Sequence, residues 1–216
     1  MMVIGSKYEI LDSISEGGIK ELQKIEMAAR TCYKSEDKIT ADGESAKRLV
    51  AGLISSGHEA MLEHGGLTVK FFCDRGVSHE LVRHRMASFA QESTRYCNYT
   101  KDKFGNGITF IYPDYDFTSE QFLEWTKCLE ICEKTYNDLV SSGVSPQIAR
   151  SVLPNATKTE VVVTANWREW RHILDLRADK TAHPDIRKLM LELLEELHKR
   201  IPVLFDDIYV MKMAGV

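Results

Sequence analysis

The stretch "LTVKFFCDRGVSHELVRHRM" (67–86) joins two different patterns of apolar residues near the middle of the chain. Residues 67–74 are rich in β-branched and aromatic side chains, which predicts a β-strand. Residues 76–86 have helical periodicity, with Ser78 as a candidate N-cap. The chain is therefore predicted to pass from a strand into a helix within this one stretch.

Both patterns recur on either side of this stretch. Strands are also predicted at 7–14, 108–113 and 157–166. Helices are predicted at 17–35, 45–58, 119–143, 145–154, 167–178 and 183–201. Because helices dominate and strict βαβ alternation is missing, the sequence predicts an α+β fold that is helix-rich with a small central β-sheet.

Residues with known preferences for helix ends mark three of the predicted helices. Gly57 follows 45–58 closely enough to be its C′ residue. Ser119 opens a start that resembles a capping box, and Pro146 is predicted at the first position of its helix.

Bulk properties narrow the classes of protein. The 216 residues suit a single domain over 1–216. A net charge of −4 disfavours a dedicated nucleic-acid binder. With no apolar run of about 18 residues and no signal-peptide pattern, neither a membrane span nor secretion is expected. The 5 cysteines include no CxxC pair, which favours reduced thiols in the cytoplasm.

Common nucleotide and metal motifs are missing from the sequence. It has no GxGxxG, GxxxxGK[ST], HExxH or GxSxG, and no zinc-ligand spacing, so no metal site is predicted. The glycine-rich "KFGNG" (103–107) predicts a turn rather than a phosphate cradle. A bound nucleotide would therefore need side-chain cations for its phosphates.

The stretch "RHRMASFAQESTRY" (83–96) supplies such cations. In a continuous helix, Arg83 and Arg85 would point about 200° apart. Three alternatives follow: the helix ends here, its two faces serve different ligands, or one arginine reaches across a subunit boundary. Apolar residues between the charges indicate partial burial, and buried cations need partners or anionic ligands.

Arg83-His84-Arg85, seven further residues and Ser93 resemble the RHR-x7-S signature of the flavin-dependent thymidylate synthases, the ThyX family. Thr94-Arg95-Tyr96 completes the resemblance at this position. Further segments that resemble the family are "AARTCYKS" (28–35), "LEHGGLTV" (62–69), "ARSVLP" (149–154) and "NWREWRHILDLRAD" (166–179).

This resemblance implies a ThyX-like fold and the reductive methylation of dUMP to dTMP. The carbon donor would be 5,10-methylenetetrahydrofolate, and the hydride would come from reduced FAD, which NADPH regenerates. It also implies a cytoplasmic homotetramer with active sites shared between subunits, and no nucleic-acid or membrane partner.

The resemblance also implies the site residues. Those for FAD are His64, Gly66, Arg83, His84, Arg85, Gln91, Asn166, Trp167, Arg168 and His172. Those for dUMP are Glu80, Leu81, Val82, Arg83, Gln91, Glu92, Ser93, Thr94, Arg95, Arg150 and Arg177. Within these sets, Arg95 and Arg150 would hold the phosphate, and Arg177 would hold the uracil edge as the catalytic residue. The helical spacing of Trp167 and Trp170 favours core packing, and Arg171 is expected to be solvated.

The residues also bear on the mechanism. No cysteine follows a proline or precedes a histidine, which disfavours a thiol nucleophile. Ser93 has no evident base, so it is interpreted as a hydrogen-bond donor. A cation at Arg177 would stabilise negative charge on the uracil and make its C5 nucleophilic. Two rival interpretations are a nucleic-acid-binding module and a silent relative that only binds flavin or nucleotide.

Overall fold

The computed structural model describes residues 1–97, 99 and 107–214. Most of the predicted turn "KFGNG" therefore lies outside the described residues. The residues are grouped into two compact units, each built from three segments. Unit 1 comprises Met1–Lys7, Phe71–Arg83 and Phe89–Val162, and unit 2 comprises Tyr8–Lys70, His84–Ser88 and Val163–Val216. A single domain over 1–216 stays a prediction.

The strands are short except for two. They are β1 (Met2–Ile4), β2 (Lys7–Ile10), β3 (Gly66–Asp74), β4 (Ser88–Gln91), β5 (Thr109–Ile111) and β6 (Lys158–Asn166). One sheet has the order β2-β3-β6-β4, and β1 pairs with β5 in parallel. Alternate residues of β3, including Val69 and Phe71, are buried, as expected for a strand with one face in a core.

Helices make up most of the described chain. They are α1 (Ile19–Thr31), α2 (Glu44–Ser55), α3 (Arg75–Leu81), α4 (Ser119–Ser141), α5 (Pro146–Ala149), α6 (Trp167–Arg177), α7 (Pro184–Arg200) and α8 (Pro202–Met213). Together with the strands they confirm the predicted helix-rich α+β class. In the described part of the chain, no helix has both the length and the apolar character needed to cross a bilayer.

Two of the three predicted helix ends are confirmed and one is displaced. Gly57 has a φ of 68°, the left-handed conformation of a C′ glycine, and Pro146 opens α5. The N-cap of α4 is Thr118 rather than Ser119, because the side chains of Thr118 and Gln121 form the reciprocal bonds of a capping box.

Helix α3 differs from its prediction at both ends. Its N-cap is Asp74, whose Oδ1 accepts from the backbone N–H of Val77 at 2.6 Å. Ser78 lies inside the helix and is buried, so its prediction as the cap was wrong. The helix ends at Leu81 instead of Met86, because the chain then turns toward β4, which pairs with β6.

Replacing Asp74 with alanine is expected to destabilise the protein by about 1 kcal/mol, because the first turn of α3 loses its side-chain acceptor. The measurement is the midpoint of urea denaturation. The control is Asp116→Ala, which removes an exposed carboxylate from a loop. Equal midpoints for the two variants would contradict this role of Asp74.

The core of unit 1 surrounds α4 and β5. Its fully packed members are Tyr99, Ile108, Phe110, Leu129, Tyr136 and Ala149. The N-terminal ammonium of Met1 forms an ion pair of 3.0 Å with Glu133 on α4. The backbone N–H of Ile108 donates to the same carboxylate at 2.8 Å. These contacts attach the ends of β1 and β5 to the helix.

The core of unit 2 is formed by α1, α2, α6, α7 and α8. Leu189, Leu193 and Leu197 form the buried stripe of α7. The sequence patterns do not predict α8, because its apolar residues include the exposed Val210 and Met211 and so form no single stripe. The short strands β1 and β4 are likewise missed, since three or four residues carry too little periodicity.

Candidate active site

The signature residues 83–85 lie in the loop between α3 and β4. Since α3 ends at Leu81, the first of the three alternatives, that the helix ends before Arg83 and Arg85, is confirmed. Both arginines are exposed, whereas His84 between them is only 5% exposed. The histidine is therefore the buried member of the signature, and the arginines face solvent.

In unit 2, His84 lies at the centre of a group of polar side chains, here called the His84 cluster. The Nε–H of Arg177 donates to His84 Nε2 at 3.1 Å. On the other side of the ring, His84 Nδ1 lies 3.6 Å from Glu169 Oε1. The ring of His172 meets that of His84 edge-on, with centroids 5.7 Å apart.

Three members of the His84 cluster come from α6. Glu169 and His172 are three residues apart and are therefore neighbours on one face of the helix, whereas Arg177 lies at its C-terminal end. The helix is fixed at its start by Asn166, whose side chain accepts from the backbone N–H of Glu169 at 2.8 Å. Burial raises the pKa of the Glu169 carboxyl above its usual range, although the charge of His172 opposes this effect.

A cavity of about 560 Å³ in unit 2 is lined by Asn166, Arg168, Glu169 and His172 together with carboxylates. Three of these residues belong to the set predicted for FAD. Arg168 is exposed and pairs with Glu63 at 2.7 Å. Since exposed ion pairs contribute little to stability, Glu63 holds this guanidinium only weakly.

Arg171 lines the same cavity but is held by the protein. It is 6% exposed, and it pairs with Asp207 at 2.7 Å and with Glu59 at 3.4 Å. Another of its N–H groups donates to the carbonyl of Leu204. The expectation of a solvated Arg171 was wrong, because its partners on α8 are distant in sequence and α8 itself was not predicted.

The Arg171–Asp207 pair predicts an acid-sensitive contribution to stability. Partial burial acts to raise the pKa of Asp207, but hydrogen bonding and charge from Arg171 outweigh it and hold this pKa below the ordinary 3.8. The contribution is therefore present above pH 3.8 and lost as the pH falls through the folded-state pKa. Thermal melts from neutral pH to below 3.8 should show a smaller acid loss in Asp207→Asn than in the unaltered protein. Parallel losses would contradict the prediction.

In unit 1, a second cavity of about 490 Å³ is lined by Arg75, Thr94, Arg150 and Ser151 among others. Arg150 Nη1 donates to Thr94 Oγ1 at 2.9 Å. Arg75 Nη1 is buried and has no hydrogen-bond partner among the described residues. Two guanidinium groups therefore line one cavity, which suits an anion. The sequence analysis did not name Arg75 as a site residue, because it directly follows a predicted strand and belongs to no recognisable motif.

The run from Gln91 to Arg95 is partly committed to contacts within unit 1. Gln91 Nε2 donates to Ser78 Oγ at 2.9 Å and to Thr159 Oγ1 at 3.2 Å. The Glu92 carboxylate accepts from Lys158 Nζ at 3.0 Å and from Tyr99 OH at 3.0 Å. Lys158 is distant from Glu92 in the sequence, and Tyr99 belongs to no recognisable motif. The sequence therefore could not show that either residue bonds to Glu92.

The remaining predicted residues differ in their surroundings. Arg95 is exposed, with its guanidinium carbon 5.5 Å from the ring centre of Tyr96. Leu81 is buried, and Val82, His64 and Gly66 are exposed. Trp167 is 1% exposed and packs edge-on against Phe205, as core packing predicts.

The cysteines, all within the described part of the chain, form no disulfide. Cys73 is buried in β3, and burial raises the pKa of its thiol well above the usual range. A thiol with a raised pKa is a poor nucleophile. In the ranges that the structure describes, no group of three or more His, Cys, Asp or Glu side chains could hold a metal ion.

The fold is of the α+β class, and the cavity of unit 1, lined by two guanidinium groups, suits an anion. Comparison with known proteins narrows this class. A family profile described as "Thymidylate synthase complementing protein" matches residues 19–203. A flavin-dependent thymidylate synthase of Corynebacterium aurimucosum is 33% identical over 214 residues, which cover 93% of this chain and 85% of the relative. One of Geobacter sulfurreducens is 34% identical over 191 residues, which cover 85% and 80% of the two chains.

A solved structure agrees with these relatives. The UMP/dUMP methylase PolB of Streptomyces cacaoi, bound with 5-Br dUMP, superposes with a TM-score of 0.77 at 25% identity, over 95% of this chain and 96% of PolB. The expectation of a ThyX-like fold is thereby confirmed. The chain belongs to the flavin-dependent thymidylate synthase family.

Proposed function

We propose that this protein methylates dUMP to dTMP as a flavin-dependent thymidylate synthase. One observation of the structure carries the proposal. The buried histidine of the signature, His84, holds the guanidinium of Arg177 through a hydrogen bond of 3.1 Å from Arg177 Nε to His84 Nε2. The family membership and the methylase PolB, whose structure holds 5-Br dUMP, support the same substrate class. The carbon donor is 5,10-methylenetetrahydrofolate and the reductant is NADPH.

The flavin is FAD, and the chain offers a suitable set of donors for it. Arg83 and Arg85 are exposed and form no ion pair with any residue that the structure describes. Exposed guanidinium groups are the donors that a pyrophosphate requires. Asn166, Arg168 and His172 line one cavity and would hold other parts of the group. When bound and reduced, the flavin supplies the hydride.

For dUMP, the phosphate is assigned to Arg150 and Arg95, with Thr94 orienting Arg150 through its hydroxyl. The uracil edge is assigned to Arg177. A guanidinium at this edge stabilises the negative charge that develops on the ring and thereby raises electron density at C5. Held through Nε by His84, Arg177 keeps its terminal N–H groups in a fixed direction.

No covalent bond between enzyme and base is required in this mechanism. Ser93 Oγ accepts from the backbone N–H of Arg95 at 3.3 Å, an arrangement that stabilises a turn and does not remove the hydroxyl proton. We therefore expect Cys97→Ala to keep turnover within about twofold of the unaltered protein, since thiol catalysis would demand a loss of several orders of magnitude. Steady-state dTMP formation measures this, and a folded but inactive variant would exclude the mechanism.

The proposal includes the assembly. The protein is a cytoplasmic homotetramer, each subunit is one catalytic domain, and each active site combines residues from several subunits. Light scattering of the purified protein tests the assembly. A nucleic-acid module is the rival interpretation, and salt-dependent oligonucleotide binding without dTMP formation would favour it.

The decisive experiment starts with the colour of the purified protein. Flavin absorption should be visible, NADPH should bleach it without oxygen, and dUMP with the folate should then yield dTMP. The control omits the folate, so that oxidation of the flavin without product is recognised. A flavin-loaded protein that forms no dTMP would overturn the proposed function.

A further inference from the structure

Glu169 is a buried carboxylate to which the reaction proposed above assigns no role. Glu169 is 9% exposed, and its Oε1 lies 3.6 Å from His84 Nδ1. Burying a charged carboxylate costs free energy unless a hydrogen-bond donor or an opposite charge lies beside it. Burial also raises the pKa of this carboxyl, which agrees with that cost.

The position of Glu169 at the start of α6 offers a common structural role that its side chain does not take. It lies three residues after the N-cap Asn166, where a glutamate can complete a capping box by accepting from the N-cap backbone N–H. Thr118 and Gln121 form that reciprocal arrangement in α4. The Glu169 carboxylate instead faces His84, while only its backbone N–H bonds to Asn166.

The hydrogen bond from Arg177 to His84 forms with only one of the two neutral tautomers of the histidine. A guanidinium N–H is a donor only, so His84 Nε2 must present its lone pair to Arg177 Nε. In a neutral imidazole the proton then resides on Nδ1. This is the nitrogen that faces Glu169, so the carboxylate stabilises the tautomer that Arg177 needs.

We propose that Glu169 is a positioning residue, which through His84 holds the guanidinium of Arg177 in the direction that the reaction uses. The path runs from Glu169 Oε1 to His84 Nδ1 at 3.6 Å and from His84 Nε2 to Arg177 Nε at 3.1 Å. The first distance exceeds that of a direct hydrogen bond, so the interaction is electrostatic, and a neutral amide oxygen, which carries a negative partial charge, can replace the carboxylate in it. The inference rests on the proposed function, because it assigns Glu169 to the catalytic arginine of that reaction.

Two substitutions separate this role from packing. Glu169→Met keeps the length of the side chain but removes the acceptor, whereas Glu169→Gln keeps a neutral acceptor. A packing role predicts that methionine is tolerated, and an acceptor role predicts that glutamine is tolerated. Glu195→Gln is the matched control, since this carboxylate lies on α7, where its side chain is 44% exposed and pairs with the neighbouring Lys199.

The first readout is the tautomer of His84, measured from the imidazole nitrogen shifts of the flavin-loaded protein and assigned with a His84→Asn variant. The unaltered protein, Glu169→Gln and Glu195→Gln should show a protonated Nδ1. Glu169→Met should show a mixture of tautomers. The same protonated Nδ1 in Glu169→Met would overturn the inference, and so would an unprotonated Nδ1 in the unaltered protein.

The second readout is turnover at saturating dUMP, with flavin content measured in the same samples. Glu169→Met should lower kcat about 10-fold at unchanged flavin content, which is the lower end of the range known for carboxylates that orient metal-binding histidines. Glu169→Gln should recover most of this loss. An unchanged kcat in Glu169→Met would overturn the inference. If Glu169→Met does not fold, Glu169→Leu, which also removes the acceptor, takes its place with the same expected and contradicting results.

These readouts distinguish the inference from the proposed function. If the unaltered protein forms no dTMP, the proposed function fails, and the tautomer of His84 still reports whether Glu169 controls this histidine. If the unaltered protein is active and both Glu169 variants behave like the control, the proposed function stands and the inference fails.

Discussion

Replacing Arg177 with alanine should lower kcat for dTMP formation by at least about 100-fold, as the loss of a donor to a developing oxyanion does in other enzymes. The physical reason is that C5 of uracil becomes nucleophilic only when negative charge on the ring is stabilised. Arg177 is the cation assigned to that task, and His84 holds its Nε at 3.1 Å. The measurement is steady-state dTMP formation at saturating dUMP by the flavin-loaded protein.

The flavin content should stay near that of the unaltered protein, since Arg177 is assigned to the nucleotide. Arg200→Ala is the matched control, because Arg200 is a partly exposed arginine of α7 that pairs with Glu196. This control should turn over normally. If Arg177→Ala matched the control in kcat, Arg177 would be removed from the mechanism, whereas loss of flavin would reassign it to the cofactor.

Replacing Phe205 with alanine should destabilise the protein by about 3–5 kcal/mol, the usual cost of deleting a fully buried aromatic ring. Phe205 is 0% exposed, and its ring packs edge-on against Trp167 with centroids 6.3 Å apart. The substitution therefore leaves a cavity between α6 and α8. The measurement is the free energy of unfolding from denaturant titrations at one protein concentration.

Val210→Ala is the control in the same helix, because Val210 is 65% exposed. Its effect should stay within about 0.5 kcal/mol. Equal effects of the two substitutions would mean that α8 does not pack on unit 2 as described. A loss of flavin in Phe205→Ala, measured on the folded fraction, would further indicate that α8 supports the start of α6.

Much of the secondary structure could be predicted from local patterns. The strand β3 and the helices α4, α6 and α7 follow their periodicity closely, because each buries one regular face. The predictions were wrong where periodicity is weak or where a neighbouring residue is a better helix cap. Asp74 replaces Ser78 as the cap of α3, because a carboxylate at the end of β3 already has the extended backbone of an N-cap.

The candidate site divides in the same way. The signature around His84 could be recognised from the sequence, because its residues are consecutive or separated by a constant gap. The partners of that histidine could not, since Glu169 and Arg177 lie on a helix far along the chain. Arg75 was missed for a related reason. The cavity that it lines together with Thr94 and Arg150 forms only when the chain folds, and so does the burial of its Nη1 without a hydrogen-bond partner.

The sequence by itself determined the longer strands and most of the helices, the α+β class and the residues that carry the family signature. These follow from short-range properties, namely side-chain periodicity, turn preferences and consecutive motifs. Only the tertiary structure decided that His84 is buried between Glu169 and Arg177 while Arg83 and Arg85 face solvent. A hydrogen bond between residues 93 positions apart depends on how the chain packs in space, and no local pattern encodes that distance.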